Sequence, residues 1–273
     1  MVSRSRLSYC LVISLLLLLA SVVADAGISS ATDTSTIVVV GTVHAATKYY
    51  DQSVLGKIIE KVSPDIILVE LDSSFFGSSM LLKPEFVSIS LENKAVAAYC
   101  RSHSVRVYPY DIEGRNAMYE RYDYFRLQRE MSAALDSVET MNLLGSKEVV
   151  LLEAVRRFDM IGSAFRSERP EVINSAACDA AMESKQYFGG EGITQIASAV
   201  PALARYVDFC KFRRDFWIQR NDVMVEKIEG WAKQFAGRTI LVLCGYEHRY
   251  YLRTGIAKRI EGRPILLKEY WEF

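Results

Sequence analysis

This 273-residue chain has little histidine, no excess of either charge and few cysteines. Lysine plus arginine equals aspartate plus glutamate at 33 each, and no polybasic run occurs. The concentrated basic footprint that binds phosphate backbones is missing, so nucleic acid is not an expected partner. The five cysteines include no Cys-x-x-Cys spacing, which removes a thiolate metal cluster and a dithiol redox motif. One apolar run, residues 11–23, stands out, and it is shorter than the ~20 residues a spanning helix needs. No low-complexity tract is present. With 50% hydrophobic and 24% charged residues, the chain can bury a sizeable core as one large domain or one domain carrying an insertion.

The apolar run reads as an address. Arg4 and Arg6 precede it, and Ala24-Asp25-Ala26 supplies the small-x-small pattern that a signal peptidase accepts. Residues 1–26 are therefore expected to be a signal peptide and residues 27–273 the exported domain, with an uncleaved anchor as the alternative. No later segment reaches spanning length, so no stable membrane span is expected after cleavage. The arginine-bearing start and the lack of an Asn-x-Ser/Thr acceptor fit bacterial export. Export would leave Cys100, Cys178, Cys210 and Cys244, which permit up to two disulfides in three connectivities. Spacing selects none of them. Cys244, at the end of a central strand, is expected to be a buried free thiol.

Strand signals lie at both ends of the chain and helical ones between them. Residues 36–40 form a β-branched run. Residues 51–62 then carry apolar positions at helical spacing, with Asp51 as N-cap and Pro64 as a stop. Residues 65–71 read as a strand buried on both faces, residues 91–102 as a helix, and residues 105–109 as a third strand. This alternation predicts an α/β fold with a mostly parallel central sheet, right-handed crossovers and flanking helices. Residues 112–235 instead show long charged segments of helical period, with loop signals at 167–170 and 189–192, and read as a large helical insertion. The strand rhythm returns at residues 239–244, followed by a helix over 248–260 and a last strand at 265–270.

Two of the three histidines sit in the same setting. Gly41-Thr42-Val43-His44 and Gly245-Tyr246-Glu247-His248 each follow a strand-forming run. In one parallel sheet both imidazoles emerge at the carboxyl edge, where open α/β sheets bind ligands. A glycine three residues earlier suits a strand that turns sharply beside a bound group. His103 lacks this setting and reads as an exposed helix-end residue. Glu70 closes the second strand with a charge that is costly to bury unpaired, so it should meet a cation, a donor or solvent at that edge. Asp111 ends the third strand in the same layer. Arg220 falls on the apolar stripe of Trp217, Met224, Ile228, Trp231 and Phe235, and so points inward, where a guanidinium needs an anionic partner.

These segments carry a resemblance. Val40-Gly41-Thr42-Val43-His44, followed by a helix and Ser63-Pro64-Asp65-Ile66-Ile67-Leu68-Val69-Glu70-Leu71-Asp72, resembles the opening of the TraB/PrgY/GumN family, which includes the TIKI proteins. Gln219-Arg220-Asn221-Asp222-Val223-Met224 and Leu243-Cys244-Gly245-Tyr246-Glu247-His248 resemble that family's Arg-Asn/Asp-x-x-Met helix and second Gly-x-x-His. The resemblance implies an α/β core related to the erythromycin esterase and ChaN-like fold, with His44, His248, Glu70 and Arg220 at one cleft. TIKI-like members are described as metal-dependent peptidases. Unlike archaeal-type members the chain shows no carboxy-terminal membrane segments, and unlike the TIKI proteins it shows no carboxy-terminal anchor.

On that basis the chain is expected to be an exported hydrolase, a metal-dependent peptidase of peptide or protein substrates. His44, His248 and Glu70 would hold a divalent transition metal (Mn, Co or Zn) and Arg220 would hold substrate or oxyanion. Asp111 or Glu247 would accept the proton. A metal-free, esterase-like hydrolase, with a histidine activating water and Glu70 orienting it, is equally compatible with the residues. So is a non-catalytic protein that sequesters a peptide or haem, for which histidine and the 15 tyrosines would be ligands.

Overall fold

The computed structural model describes residues 34–78 and 81–273. The expected signal peptide therefore lies outside the described residues. Five strands, β1 (Ser35–Thr42), β2 (Ile66–Val69), β3 (Arg106–Pro109), β4 (Thr239–Gly245) and β5 (Ile265–Lys268), form one sheet in the order β3-β2-β4-β1-β5. Every pairing is parallel. Thr42 lies opposite Gly245, and Val69 opposite both Leu243 and Pro109, so the carboxyl ends of four strands meet along one edge.

The strands alternate two apolar sets because both faces are covered. Val38, Val40, Ile67, Val69, Leu241 and Leu243 face helices α1 (Gln52–Val62) and α2 (Leu91–Cys100). On the other face, Ile37, Val39, Ile66, Leu68, Ile240 and Val242 meet the helices that flank β4 in sequence. Asp51 and Ser90 cap α1 and α2 by accepting from the Val54 and Asn93 backbone N–H groups at 2.9 and 3.1 Å.

Only helices lie between β3 and β4 among the described residues: α3 (Arg115–Arg121), α4 (Tyr124–Thr140), α5 (Ser146–Phe165), α6 (Pro170–Ile173), α7 (Ala176–Tyr187), α8 (Ile193–Ala199) and α9 (Val207–Gln234). Part of this stretch has its own core, with Met131, Leu135, Leu152, Ile196, Tyr206 and Cys210 packed together. The second half of α9 does not stay there. Its Met224, Val225, Ile228 and Ala232 return to the sheet, so the segment reads as an excursion that ends on the core it left. Residues 189–192, expected as a loop, fall instead in a π-helical turn, Phe188–Gly192, that links α7 to α8. After β4, α10 (Tyr246–Ile260) lays Leu252 and Ile256 on the same face as α9. Cys100, Cys178, Cys210 and Cys244 are all free, the last three buried.

β1 is longer than its edge neighbour β5, whose register stops at the Val38–Lys268 pair. Beyond it the fully buried Asn174 supplies the missing partner: Oδ1 accepts from Gly41 N–H at 2.6 Å and Nδ2 donates to the Gly41 carbonyl at 3.1 Å. A side-chain amide thus completes the strand. The Gly41 carbonyl also accepts from the Tyr50 hydroxyl at 3.2 Å, so replacing Asn174 with alanine orphans the buried Gly41 N–H and should lower stability by about 1–3 kcal/mol. Urea unfolding of the variant reads this directly, and an unchanged midpoint would show that water replaces the amide.

Candidate active site at the carboxyl edge

The two Gly-x-x-His segments share a spacing but not a conformation. β1 ends in a three-residue turn in which Ala45 N–H donates to the Val43 carbonyl, with His44 at its centre in the left-handed region, φ 53°. Such a conformation costs about 1–3 kcal/mol for a residue with a Cβ and persists where surroundings impose it. The start of α2 imposes it: Leu91 N–H donates to the His44 carbonyl at 3.0 Å. Glu92 Oε1 accepts from His44 N–H at 3.2 Å, bonds His44 Nδ1 at 2.8 Å and also accepts from the Thr42 hydroxyl. His248 lies instead in the first turn of α10, stacked on Trp217 with ring centroids 4.2 Å apart.

The glycines do different work. A Cβ on Gly41 would stand 3.1 Å from the Tyr246 Cα, so this glycine lets α10 start against β1. A Cβ on Gly245 would stand 2.7 Å from His44 Nε2 and 3.5 Å from Glu70 Oε2. The missing methyl lets the His44 imidazole and the Glu70 carboxylate approach the same stretch of backbone.

Glu70 follows β2 in a three-residue turn closed by Leu71 N–H on the Val69 carbonyl at 2.7 Å. Its Oε2 accepts from Gly245 N–H at 2.6 Å, and its Oε1 accepts from Arg220 Nη2. Arg220, in the middle of α9, also grips Asp111 with two hydrogen bonds, Nε to Oδ1 at 2.8 Å and Nη2 to Oδ2 at 2.9 Å. Its Nη1 lies 3.0 Å from His248 Nε2. Guanidinium only donates, so Nε2 is the acceptor, and the His248 proton resides on Nδ1, 2.8 Å from Asn221 Oδ1.

The two imidazoles are thereby driven to opposite charge states. Burial, with the charges of Arg220 and His44 beside it, pulls His248 down to about 3 against the opposing pull of Glu70. Desolvation of one side of the His44 ring also lowers its pKa, but the hydrogen bond to Glu92 and the charges of Glu70 and Glu92 outweigh it and raise it to about 9. Burial would raise Glu70, yet its pairing with His248, Arg220 and His44 and the Gly245 N–H hold it well below the usual carboxylate range. At neutral pH the edge therefore carries a cationic His44, an anionic Glu70 and a neutral His248. His44 is the open member, with 59% of its side chain exposed, against 10% or less for Glu70, Arg220 and His248.

The structure thus gathers His44, His248, Glu70, Arg220 and Asp111. Asp111 serves as the clamp of Arg220 and of Arg115, whose Nη1 donates to Oδ2 at 2.8 Å, and so is no free proton acceptor. Glu247 does not join the cluster. Its carboxylate turns to α7, bonding Lys185 Nζ at 2.8 Å and Gln186 Nε2 at 3.0 Å. Sequence reasoning missed Glu92, which looks like any acidic residue in a first helical turn, and Asn221, which is legible only as a neighbour of Arg220.

No family model matches the chain, and neither a curated protein nor a solved structure does.

As arranged, the donors do not suit a divalent ion. His248 Nε2 and Glu70 Oε1 both face the Arg220 guanidinium, Glu70 Oε2 is taken by a backbone N–H, and His44 is held as a cation. A further double positive charge would meet two resident cations, with only the remaining lone pairs of one carboxylate to hold it. Among the described residues no group of three His, Cys, Asp or Glu side chains has metal-holding geometry.

The opposed histidines set a pH signature. The unfolded chain binds more protons than the folded one at His248 between pH 6.5 and about 3, so that contribution is lost as pH falls through this range. At His44 the folded chain binds more between 6.5 and about 9, so its contribution is full below 6.5 and is lost as pH rises. Denaturation between pH 5 and 8.5 should show greatest stability near 6.5, with His44→Gln flattening the alkaline side and His248→Gln the acid side. Wild-type curves flat over this window would contradict the two assignments.

Proposed function

We propose that the chain is an exported hydrolase of peptide-like or ester carbonyl bonds, acting through His44 and Glu70 without a metal. The observation that carries this reading is the approach of His44 Nε2 and Glu70 Oε2 to the same point beside Gly245, one group a proton donor and the other an acceptor. A water that reaches Glu70 would give it a proton while attacking the carbonyl carbon. The His44 Nε2–H would stabilise the carbonyl oxygen and then protonate the departing nitrogen or oxygen. Glu92 keeps His44 charged and oriented. Arg220 fixes the Glu70 carboxylate, and His248, itself held by Asn221, fixes Arg220. The sequence resemblance to TraB/PrgY/GumN proteins, with peptidases among them, supports peptides or proteins as substrates, and the pattern of residues 4–26 supports export.

The test uses a quenched-fluorescent peptide library and a p-nitrophenyl ester as probes. His44→Ala should lower kcat by about 10²–10⁴-fold, the usual share of an acid–base group, measured at a temperature where circular dichroism shows the less stable variant still folded. Full activity in that variant, or no turnover by the wild-type chain, would overturn the proposal. Chelators should leave the rate intact, and inactivation by them with recovery on adding Mn, Co or Zn would overturn the metal-free form.

The pH profile is a separate check. Activity should fall as pH rises through about 9, where His44 loses its proton. Glu92→Gln removes the charge that holds the proton, so this alkaline limb should move down toward about 6.5. A limb that stays in place would mean that another group controls the step.

A further inference from the structure

Helix α5 carries apolar residues on two opposite sides, and the fold covers one of them. Leu152 joins the core of the excursion, Gly162 packs against Met182 and Lys185, and the Gly162 carbonyl accepts from the Tyr246 hydroxyl at 3.0 Å. Leu152 and Gly162 are the only buried residues of this 20-residue helix. The other side faces away. Val149, Val150, Met160 and Ile161 are 38% to 67% exposed, and at about 100° per residue they share one arc of about 120° with the exposed Glu153 and Arg157. An apolar helix stripe is stable against a partner surface, and a contiguous apolar face left on solvent marks a place of interaction.

The order of residues on that face selects the partner. Val149 and Ile161 lie six positions either side of residue 155, Val150 and Met160 five, and Glu153 and Arg157 two. A two-fold axis normal to the helix and level with residue 155 therefore sets Val149 of one copy on Ile161 of the other, Val150 on Met160, and each Glu153 on an Arg157. Both charges are free for this, since neither makes a hydrogen bond or ion pair among the described residues. Parallel copies would put Glu153 against Glu153 instead. A lipid surface would have to accept an unpaired carboxylate at the middle of the face, which is costly.

We propose that α5 is a self-association surface that pairs antiparallel with the same helix of a second copy, four apolar contacts flanking two reciprocal Glu153–Arg157 ion pairs. One helix face is smaller than the roughly 20–30 residues a side of a standard interface, so the copies should exchange with a Kd of about 1–50 μM. The dimer is independent of the chemistry at the carboxyl edge.

Sedimentation velocity of the purified protein at rising concentration should show monomer passing to dimer. Glu153→Arg sets arginine against arginine and Arg157→Glu sets glutamate against glutamate. Each variant alone should dimerise at least about ten-fold more weakly, with the thermal midpoint retained at these exposed positions. An equimolar mixture of the two variants rebuilds both ion pairs across unlike copies and should recover the wild-type constant to within about three-fold. Met160→Lys should also weaken the dimer. A protein that is monomeric up to about 300 μM, single variants that associate like the wild type, or a mixture no stronger than its components would refute the proposal. So would a monomeric wild type that floats with phosphatidylcholine–phosphatidylglycerol vesicles and loses this in Met160→Lys, which would assign the face to a lipid surface.

Discussion

The guanidinium of Arg220 organises the carboxyl edge of the sheet. It reaches in from α9 and gives every nitrogen to a partner from a different element: Asp111 after β3, Glu70 after β2 and His248 at the start of α10. Breaking such a buried set by removing one partner costs about 3–5 kcal/mol, because the charges left behind have no water to replace it. The arrangement explains how four segments far apart in sequence, from Glu70 to His248, hold a common geometry. It also explains the state of His248, whose only free lone pair is turned onto a permanent cation.

From that anchor follows a division of labour between two residues of the same type. His248 is neutral, buried and spent on alignment, whereas His44 is charged, solvent-facing and set beside Gly245. Environment, not residue identity, separates them. Burial beside Arg220 decides one and the carboxylate of Glu92 decides the other. Pairs of titratable groups pushed apart in this way mark sites where one member gives a proton and another receives it. Glu70, held low by its neighbours, stays ionised at rest and is the receiving side in the proposed hydrolysis.

Much of the scaffold was legible. The β-branched runs at residues 36–40 and 239–244, the charge closing the second strand and the helical stripe containing Arg220 each signal local structure through side-chain period, and the strands and helices form where those signals lie. The turn at 189–192 misleads, because two adjacent glycines suggest a loop while tertiary packing carries the helix through it as a π turn. Glu247 misleads for another reason. It lies one residue before His248, and on a helix adjacent side chains diverge by about 100°, which sends its carboxylate to Lys185.

The sequence by itself determined the elements, the parallel sheet and the delivery of His44, Glu70, Asp111 and His248 to one edge, since strand ends follow from local periodicity and parallel crossovers bring like ends together. Only the tertiary structure decided which of these groups are charged, which are exposed and which merely hold another in place. Those properties depend on burial and on partners remote in sequence, such as Glu92 for His44 and Arg220 for His248, and no local pattern encodes a neighbour that the fold alone brings near.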